Sequence, residues 1–560
     1  MYPEKIAVAQ IVELIKKKGI SDIVISPGSR NAPFIVGFSK DSFFNCFSVV
    51  DERSAAFFAM GRALKTKKPV VVLCTSGSAV LNYFPAVAEA FYQELPLLVL
   101  SADRPMSWTD QGNGQTIRQD GVLSSHTVKS ISVDGDAEEI EDLWYLQREV
   151  NFALNRLIEN PFGPIHLNVY LNEPLYGQLT EKHPSPNCIS RIQGKAILNS
   201  DELNQVTEKW NGFDKKMILL GQGCPDNELS VLIKELAKDD SVIVLSECLS
   251  NISDDRFFSC IDKLILLQEE DLKKLEPQLL VTIGGAVVSK KIKELLRSWK
   301  IKEHWNIGFK QVQQDTYQQL THEIVLNPSG FLSQILPFTK KVESDYYSFF
   351  NVIRNKKETL QKNYLNVCDY SDLTVFSSLF EQIPEGTTLH FSNSSIVRYA
   401  QLFELGKKYV FHANRGTSGI DGSGSTAIGY ASASSVNNVL ITGDISFFYD
   451  SNALWNNEEL SNFKIILVNN SGGGIFRIIP GPATTGALED YFETEHQLNA
   501  SELAKMYKYS YGSVHSLEEL PGRLQTFLAH SERGILEIFT PKENNDQALK
   551  GLFNSLKDYN

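Results

Sequence analysis

The strongest constraint on the fold is a unit repeated along the chain: a short apolar run, a turn, then a stretch with apolar residues at helical spacing. "DIVIS", "FSVVD", "PVVVLCTSG", "LPLLVLSAD" and "GPIHLNVYL" are such runs between Asp22 and Leu171. A strand with one wet face alternates apolar and polar residues, so near-continuous runs mark strands covered on both faces. The segments between them are long enough for a crossover helix, which makes each sheet parallel.

The unit recurs in two further stretches. "KMILLGQG", "SVIVLSE", "QLLVTIGGA" and "IVLNPS" lie between residues 192 and 338, and "TTLHFSN", "KYVFHAN", "NNVLITGD", "FKIILVNN" and "GILEIFT" follow residue 371. A Pro-containing polar linker, "YGQLTEKHPSPNCIS", divides the first stretch from the second. A polar segment with a helical pattern, "YYSFFNVIRNKKETLQKNYLN", divides the second from the third. At 560 residues the chain is too long for one core. The expectation is an α/β protein of three doubly wound parallel-sheet domains, at residues 1–178, 191–340 and 370–560.

The formal net charge of -13 argues against nucleic-acid and membrane-surface partners, which favour basic faces. No apolar run approaches the ~20 residues of a membrane span, and "MYPEKIAVAQIVELIKKKG" reads as a helix rather than a secretory signal. Cytoplasmic localisation is expected. The seven cysteines are odd in number, scattered and without CxxC spacing, which fits a reducing compartment and neither a disulfide framework nor a zinc site. No GxSxG elbow is present, and Gly221-Gln222-Gly223 lacks the third glycine of a dinucleotide loop.

Open parallel sheets bind ligands beyond the carboxyl ends of their strands, so the residues there carry the functional signal. Glu52 follows "FSVV" and opens a helical pattern; an acid favours a helix N-terminus on electrostatic grounds alone, so the position needs other support. Two later ends belong together. "VLITGDISFFYDSNALW" leaves its strand at Gly443-Asp444 and "IILVNNSGGGIF" leaves the next at Asn469-Asn470. Asp444, the Asn470 amide and the Gly472 carbonyl are hard oxygen ligands suited to Mg2+ in the company of phosphate oxygens. Gly443 permits close backbone approach, and the segment from Ser446 is expected to be helical, with amides for a phosphate.

This constellation resembles the thiamine-diphosphate-dependent enzymes of the three-domain type, in which the first domain binds the pyrimidine and the last the diphosphate. Within them it is similar to the menaquinone-pathway synthases, through "SPGSRNAPF", "VDERSAAFFAMG", "LSADRP", "GQTIRQDG", "NSSIVR", "NRGTSGIDG", "GDISFFYDSNAL" and "VNNSGGGIFRIIP". The resemblance implies thiamine diphosphate with Mg2+ or Mn2+, decarboxylation of 2-oxoglutarate, and 1,4-addition of the succinyl carbanion equivalent to isochorismate. An acetohydroxyacid synthase-like carboligase, a non-catalytic descendant and a nicotinamide dehydrogenase are the alternatives.

The resemblance also implies roles. Glu52 would bond the aminopyrimidine and make the cofactor its own base, Ile420 would support the bent cofactor, and Gln115 would lie near the reacting carbons. Gly443, Asp444, Ile445, Ser446, Asn470, Gly472, Ile475 and Phe476 would bind the cofactor, with Asp444, Asn470 and Gly472 as metal ligands. Ser394 and Arg398 would hold the donor's distal carboxylate. Ser29, Arg30, Arg104 and Lys290 would face the acceptor, with Lys291 and Arg415 adding to the substrate set. Arginine forks suit such carboxylates. Lys291 stands where relatives tend to carry arginine, and Gly474 where they often carry a larger polar residue. A homodimer or dimer of dimers follows by the same resemblance.

Overall fold

The structure, a computed structural model, describes residues 2–310, 312–478 and 481–557; Ile479 and Pro480 of the "VNNSGGGIFRIIP" motif and the two extreme ends of the expected domains lie outside the described residues. The chain forms two compact units. One comprises Met1–Gly194, Gly416–Ser435 and Tyr449–Leu460; the other comprises Lys195–Arg415, Val436–Phe448 and Ser461–Asn560.

The first unit is built on a six-stranded sheet of β1 (Asp22–Ile25), β2 (Asn45–Ser48), β3 (Val70–Cys74), β4 (Leu97–Asp103), β5 (Lys129–Asp134) and β6 (Ile165–Tyr170). Every pairing is parallel, in the order β2-β1-β3-β4-β6-β5. The β1, β3 and β4 side chains are buried throughout, as continuous apolar runs require. Tyr2–Pro3 pairs antiparallel with Gln178–Leu179, which ties the expected linker back to the start of the chain.

The helix Glu52–Thr66 packs against Ser423–Ala431 through reciprocal glycines. A methyl group on Gly61 would lie 2.8 Å from the Tyr430 nitrogen and closer still to the Thr426 carbonyl oxygen. One on Gly429 would lie 2.7 Å from the Phe58 carbonyl carbon. Only residues without a side chain permit the two backbones this approach. Buried Glu89 fixes the entry to the second helix by accepting from Gly416 N at 2.7 Å and Thr417 N at 2.6 Å. Asp450 holds its first turn through Ser425 N, 2.8 Å, and Ser425 Oγ, 3.0 Å.

The second unit contains two sheets. The smaller has β7 (Lys216–Leu220), β8 (Val242–Ser246), β9 (Leu279–Ile283), β10 (Glu303–Ile307) and β11 (His322–Ile324), all parallel, in the order β8-β7-β9-β10-β11. The larger has β12 (Thr388–Phe391), β13 (Val410–Ala413), β14 (Asn438–Gly443), β15 (Phe463–Asn469), β16 (Ser510–Val514) and β17 (Gly534–Phe539). Its order, β13-β12-β14-β15-β17-β16, repeats the connectivity of the first unit's sheet. The polar segment before it is the helix Tyr346–Leu365. No helix among the described residues is long and apolar enough to cross a membrane.

Candidate active site

In the second unit, β14 and β15 are adjacent and end level, Gly443 opposite Val468. Asp444 and Asn470 therefore leave the sheet side by side, and both are buried. Asp444 Oδ2 accepts from Gly472 N at 3.0 Å, and His496 Nε2 lies 3.3 Å from the same oxygen. The helix Asp444–Tyr449 starts at the aspartate itself, two residues before the expected Ser446.

Asn470 provides a direct test of whether a cation fits. Its Nδ2 donates to Asp372 Oδ2 at 3.1 Å, the orientation that an ionised carboxylate, which only accepts, favours. Its Oδ1 is then a buried acceptor without a donor among the described residues. Such an atom costs roughly 1–3 kcal/mol unless something satisfies it, and a divalent cation would do so. Gly472, at φ +156°, passes so close to Glu493 that a Cβ would lie 2.7 Å from its carbonyl oxygen. Glu493 is held in turn by Lys542 at 2.9 Å and by the Arg477 fork, so the turn after β15 is braced from its far side. Asp372 is fully buried, and burial pushes its carboxyl up to about 6 against hydrogen bonds from Thr540 and Asn470. The oxygens brought together here, the Asp444 carboxylate and the Asn470 amide, with the Gly472 carbonyl two residues on accepting from Gly474 N at 3.0 Å, suit a hard cation whose remaining oxygens a diphosphate would supply.

A basic cluster occupies the same unit. Ser394 precedes the helix Ser395–Ala400 at its N-cap position, φ +71°, without a side-chain capping bond, and Arg398 rides the last turn. Arg415 Nη1 donates to Asn393 Oδ1 at 2.7 Å, and Asn393 Nδ2 donates to Asn414 O at 2.7 Å, so the "NSS" and "NRG" loops are stitched together. The helix Lys290–Ser298 begins with exposed Lys290. The Lys291 ammonium sits 3.7 Å over the Phe553 ring, on another face of that helix. Lys293, one turn after Lys290, faces Glu247 and shares its surroundings with Arg415, Arg297 and Arg398; burial first, then those like charges, lower its proton affinity.

The first unit carries the remaining residues. Glu52 is the first residue of its helix, capped by Asp51, whose Oδ1 accepts from Arg53 N at 2.9 Å and Ser54 N at 3.3 Å. Glu52 is half-buried, and desolvation raises its proton affinity, with Asp51 adding to the effect. Arg30 is buried, its guanidinium donating to Leu171 O at 3.0 Å and Glu173 at 3.1 Å. Burial and then the charge of Arg104 depress its proton affinity, so two guanidiniums share one region. Arg104 Nε is buried without an acceptor among the described residues. Two crowded cations with an unused donor suit a carboxylate ligand. Ser29 is exposed just before Arg30. Gln115 is exposed in the left-handed conformation, φ +55°, its backbone lying against Gly77. Buried Gln119 anchors that loop, accepting from Gly77 N at 2.8 Å and donating to Asn168 at 2.9 Å. Ile420 precedes Gly422, whose φ of +70° and contact with the Phe57 ring admit only glycine.

Sequence reading missed three residues around these sites: Asp372, His496 and Lys293. Helical spacing from Lys290 would have found Lys293. Nothing local marks the other two, which are brought in by tertiary packing.

Fold and site together define a thiamine pyrophosphate enzyme. Residues 7–122 match the family described as the thiamine pyrophosphate enzyme N-terminal TPP binding domain, and residues 394–538 match the C-terminal TPP binding domain. The chain is 46% identical to the 2-succinyl-5-enolpyruvyl-6-hydroxy-3-cyclohexene-1-carboxylate synthase of Flavobacterium johnsoniae, over 99% of this chain and 100% of that one. The synthase of the same name from Flavobacterium psychrophilum is 43% identical over 99% and 100%, and that of Porphyromonas gingivalis 37% over 99% and 97%. The chain belongs to this synthase family and is a thiamine-diphosphate-dependent enzyme. Among solved structures, the benzoylformate decarboxylase from Polynucleobacter necessarius shares the fold, with a TM-score of 0.71 at 16% identity over 97% of this chain and 100% of that one.

Proposed function

We propose that the chain catalyses the Mg-dependent decarboxylation of 2-oxoglutarate and the 1,4-addition of the resulting succinyl unit to isochorismate. The product is the carboxylate for which its relatives are named, formed with CO2 in menaquinone biosynthesis. The observation that carries this reading is the pairing of Asp444 with the orphaned Asn470 oxygen at neighbouring strand ends. Asp444, Asn470 and the Gly472 carbonyl hold Mg2+ or Mn2+; Gly443, Ile445 and Ser446 hold the diphosphate, and Ile475 and Phe476 cover it.

When bound, thiamine diphosphate supplies a carbanion for the keto carbon and a cation that takes up the electron pair left by CO2. Glu52 bonds the aminopyrimidine ring, and Ile420 supports the cofactor's bend. Ser394 and Arg398 hold the donor's distal carboxylate, with Arg415 beside them. Ser29, Arg30, Arg104 and Lys290 bind the acceptor's carboxylates, Lys291 adding charge to the same helix start, and Gln115 lies near the reacting carbons. Residues 1–178, 191–340 and 370–560 act as pyrimidine-binding, middle and diphosphate-binding domains. The two half-sites complete each other in a cytoplasmic homodimer or dimer of dimers.

The test is a mass-spectrometric assay with thiamine diphosphate, Mg2+ and 2-oxoglutarate, with and without isochorismate. A succinylated, ring-retaining product that requires both cofactor and acceptor is the expected result. Decarboxylation without that product would refute the acceptor assignment, and no consumption of 2-oxoglutarate would refute the donor.

A further inference from the structure

Glu247 follows β8 and is fully buried, yet the substrate set assigns it nothing. Its two oxygens accept separate main-chain donors, Val288 N at 2.6 Å on Oε2 and Ser289 N at 2.8 Å on Oε1. Those residues immediately precede the helix that begins at Lys290. Ser289 is fixed a second time, because its Oγ accepts from Ile292 N at 3.1 Å and donates to Asp262. Arg398 and Gln401 line the same small cavity as Glu247, Asp262, Val288 and Ser289. Gln401 in turn accepts from Cys248 N at 3.4 Å and donates to Cys248 Sγ at 3.1 Å. One carboxylate thus joins the end of β8, the start of the Lys290 helix and the surroundings of Arg398.

We infer that Glu247 is a positioning residue for isochorismate binding, fixing the start of the Lys290 helix so that Lys290 and Lys293 present their ammonium groups together. This rests on the acceptor assignment made above. The carboxylate form suits the task, since both its oxygens accept. A protonated carboxyl, or a glutamine amide, turns one donor toward an incoming N–H and releases one of the two anchors.

Burial holds Glu247 up to about 7, with Asp262 pushing the same way and the Val288 and Ser289 amides and Lys293 opposing. Cys248, Tyr317 and Arg398 are the other ionisable groups around it. The anchor therefore loosens as pH falls through the neutral range.

The test compares wild type with Glu247→Gln in the complete enzyme with cofactor and Mg2+. The KM for isochorismate is expected to rise about tenfold, the loss of one charge-assisted hydrogen bond, and by clearly more than the KM for 2-oxoglutarate, since Arg398 borders the same cavity but does not ride the Lys290 helix. Amide exchange at Val288 and Ser289 should accelerate in the variant. The wild-type KM for isochorismate should rise as pH falls from 8 to 6, and the variant profile should be flat there. Unchanged acceptor KM with unchanged exchange would overturn the inference, as would equal losses toward donor and acceptor. If wild type itself fails to use isochorismate, the acceptor reading falls, whereas the exchange result still reports on the anchor. If the variant does not fold, the wild-type pH profile decides, and a flat one overturns the inference.

Discussion

The crossing of Glu52–Thr66 with Ser423–Ala431 makes a sharp prediction, because one substitution should act with opposite signs at two sites. In Gly61→Ala, the added methyl meets the Tyr430 nitrogen at 2.8 Å and the Thr426 carbonyl oxygen more closely. Ordinary contacts there exceed about 3.4 Å, so the helices must separate by more than half an ångström, and backbone cannot rotate out of the way as a side chain can. Overpacking of this kind costs about 3 kcal/mol, and alanine's better helix propensity returns about 1. The net loss of ~2 kcal/mol should lower the thermal midpoint by roughly 4–8 °C in a unit of this size. Gly522→Ala, inside the helix Leu520–Ala529, meets no atom within 4 Å and should instead gain ~0.5–1 kcal/mol. Gly429→Ala should resemble Gly61→Ala. The double variant should cost less than the two single losses together, since the first substitution already parts the helices. Scanning calorimetry reads the midpoints, and hydrogen exchange over residues 52–66 and 423–431 locates the change. A Gly61→Ala protein that melts at or above wild type, or strict additivity with Gly429→Ala, would refute the reasoning.

Glu52→Gln should reduce turnover at least ~100-fold while calorimetric titration returns unchanged diphosphate and Mg2+ affinities; near-normal turnover would remove Glu52 from the catalytic set. Chelating the metal should abolish thermal stabilisation by thiamine diphosphate in wild type, and Asn470→Ala should show little stabilisation even with Mg2+ present, as melting curves can check. His166 is buried and held neutral, burial lowering it from 6.5 to about 4. An unfolded chain takes up that proton first, so this contribution to stability is present above about 6.5 and is lost as pH falls through 4. The stability gap between wild type and His166→Gln should accordingly shrink from pH 7 to pH 4, by as much as ~3 kcal/mol; a gap that widens would contradict the assignment.

Most strands legible in the sequence are buried on both faces; "FSVVD" and "IVLNPS" instead mark edge strands, the largely exposed Asn45–Ser48 and the short His322–Ile324, whose bounds lie a few residues earlier. Lys129–Asp134 and Ser510–Val514 escaped notice because they are edge strands with polar residues among few apolar ones. Glu303–Ile307 lies inside its sheet but reads as polar, its His304 and Asn306 side chains both bonding Thr282 Oγ1. The Gly443-Asp444 and Asn470-Ser471-Gly472 turns were directly readable as strand ends; that they emerge side by side follows from the sheet order, which sets β14 beside β15 although the equally consecutive β13 and β14 are not neighbours. The residues that brace those ends could not be read. Asp372 reaches Asn470 across nearly one hundred positions, and no local pattern records a contact of that span.

That the Glu52 helix finds its closest partner about 370 residues further along also matters during synthesis. At roughly 5–20 residues per second, the ribosome needs about 20–70 s to deliver Ser423–Ala431 after Gly61 has been made. For that interval the alanine- and glycine-rich side of Glu52–Thr66 has no native cover, long after β1 to β6 could have paired. The nascent first unit must wait in a nearly finished form, and a truncation anywhere before residue 423 would leave this helix face without its native partner.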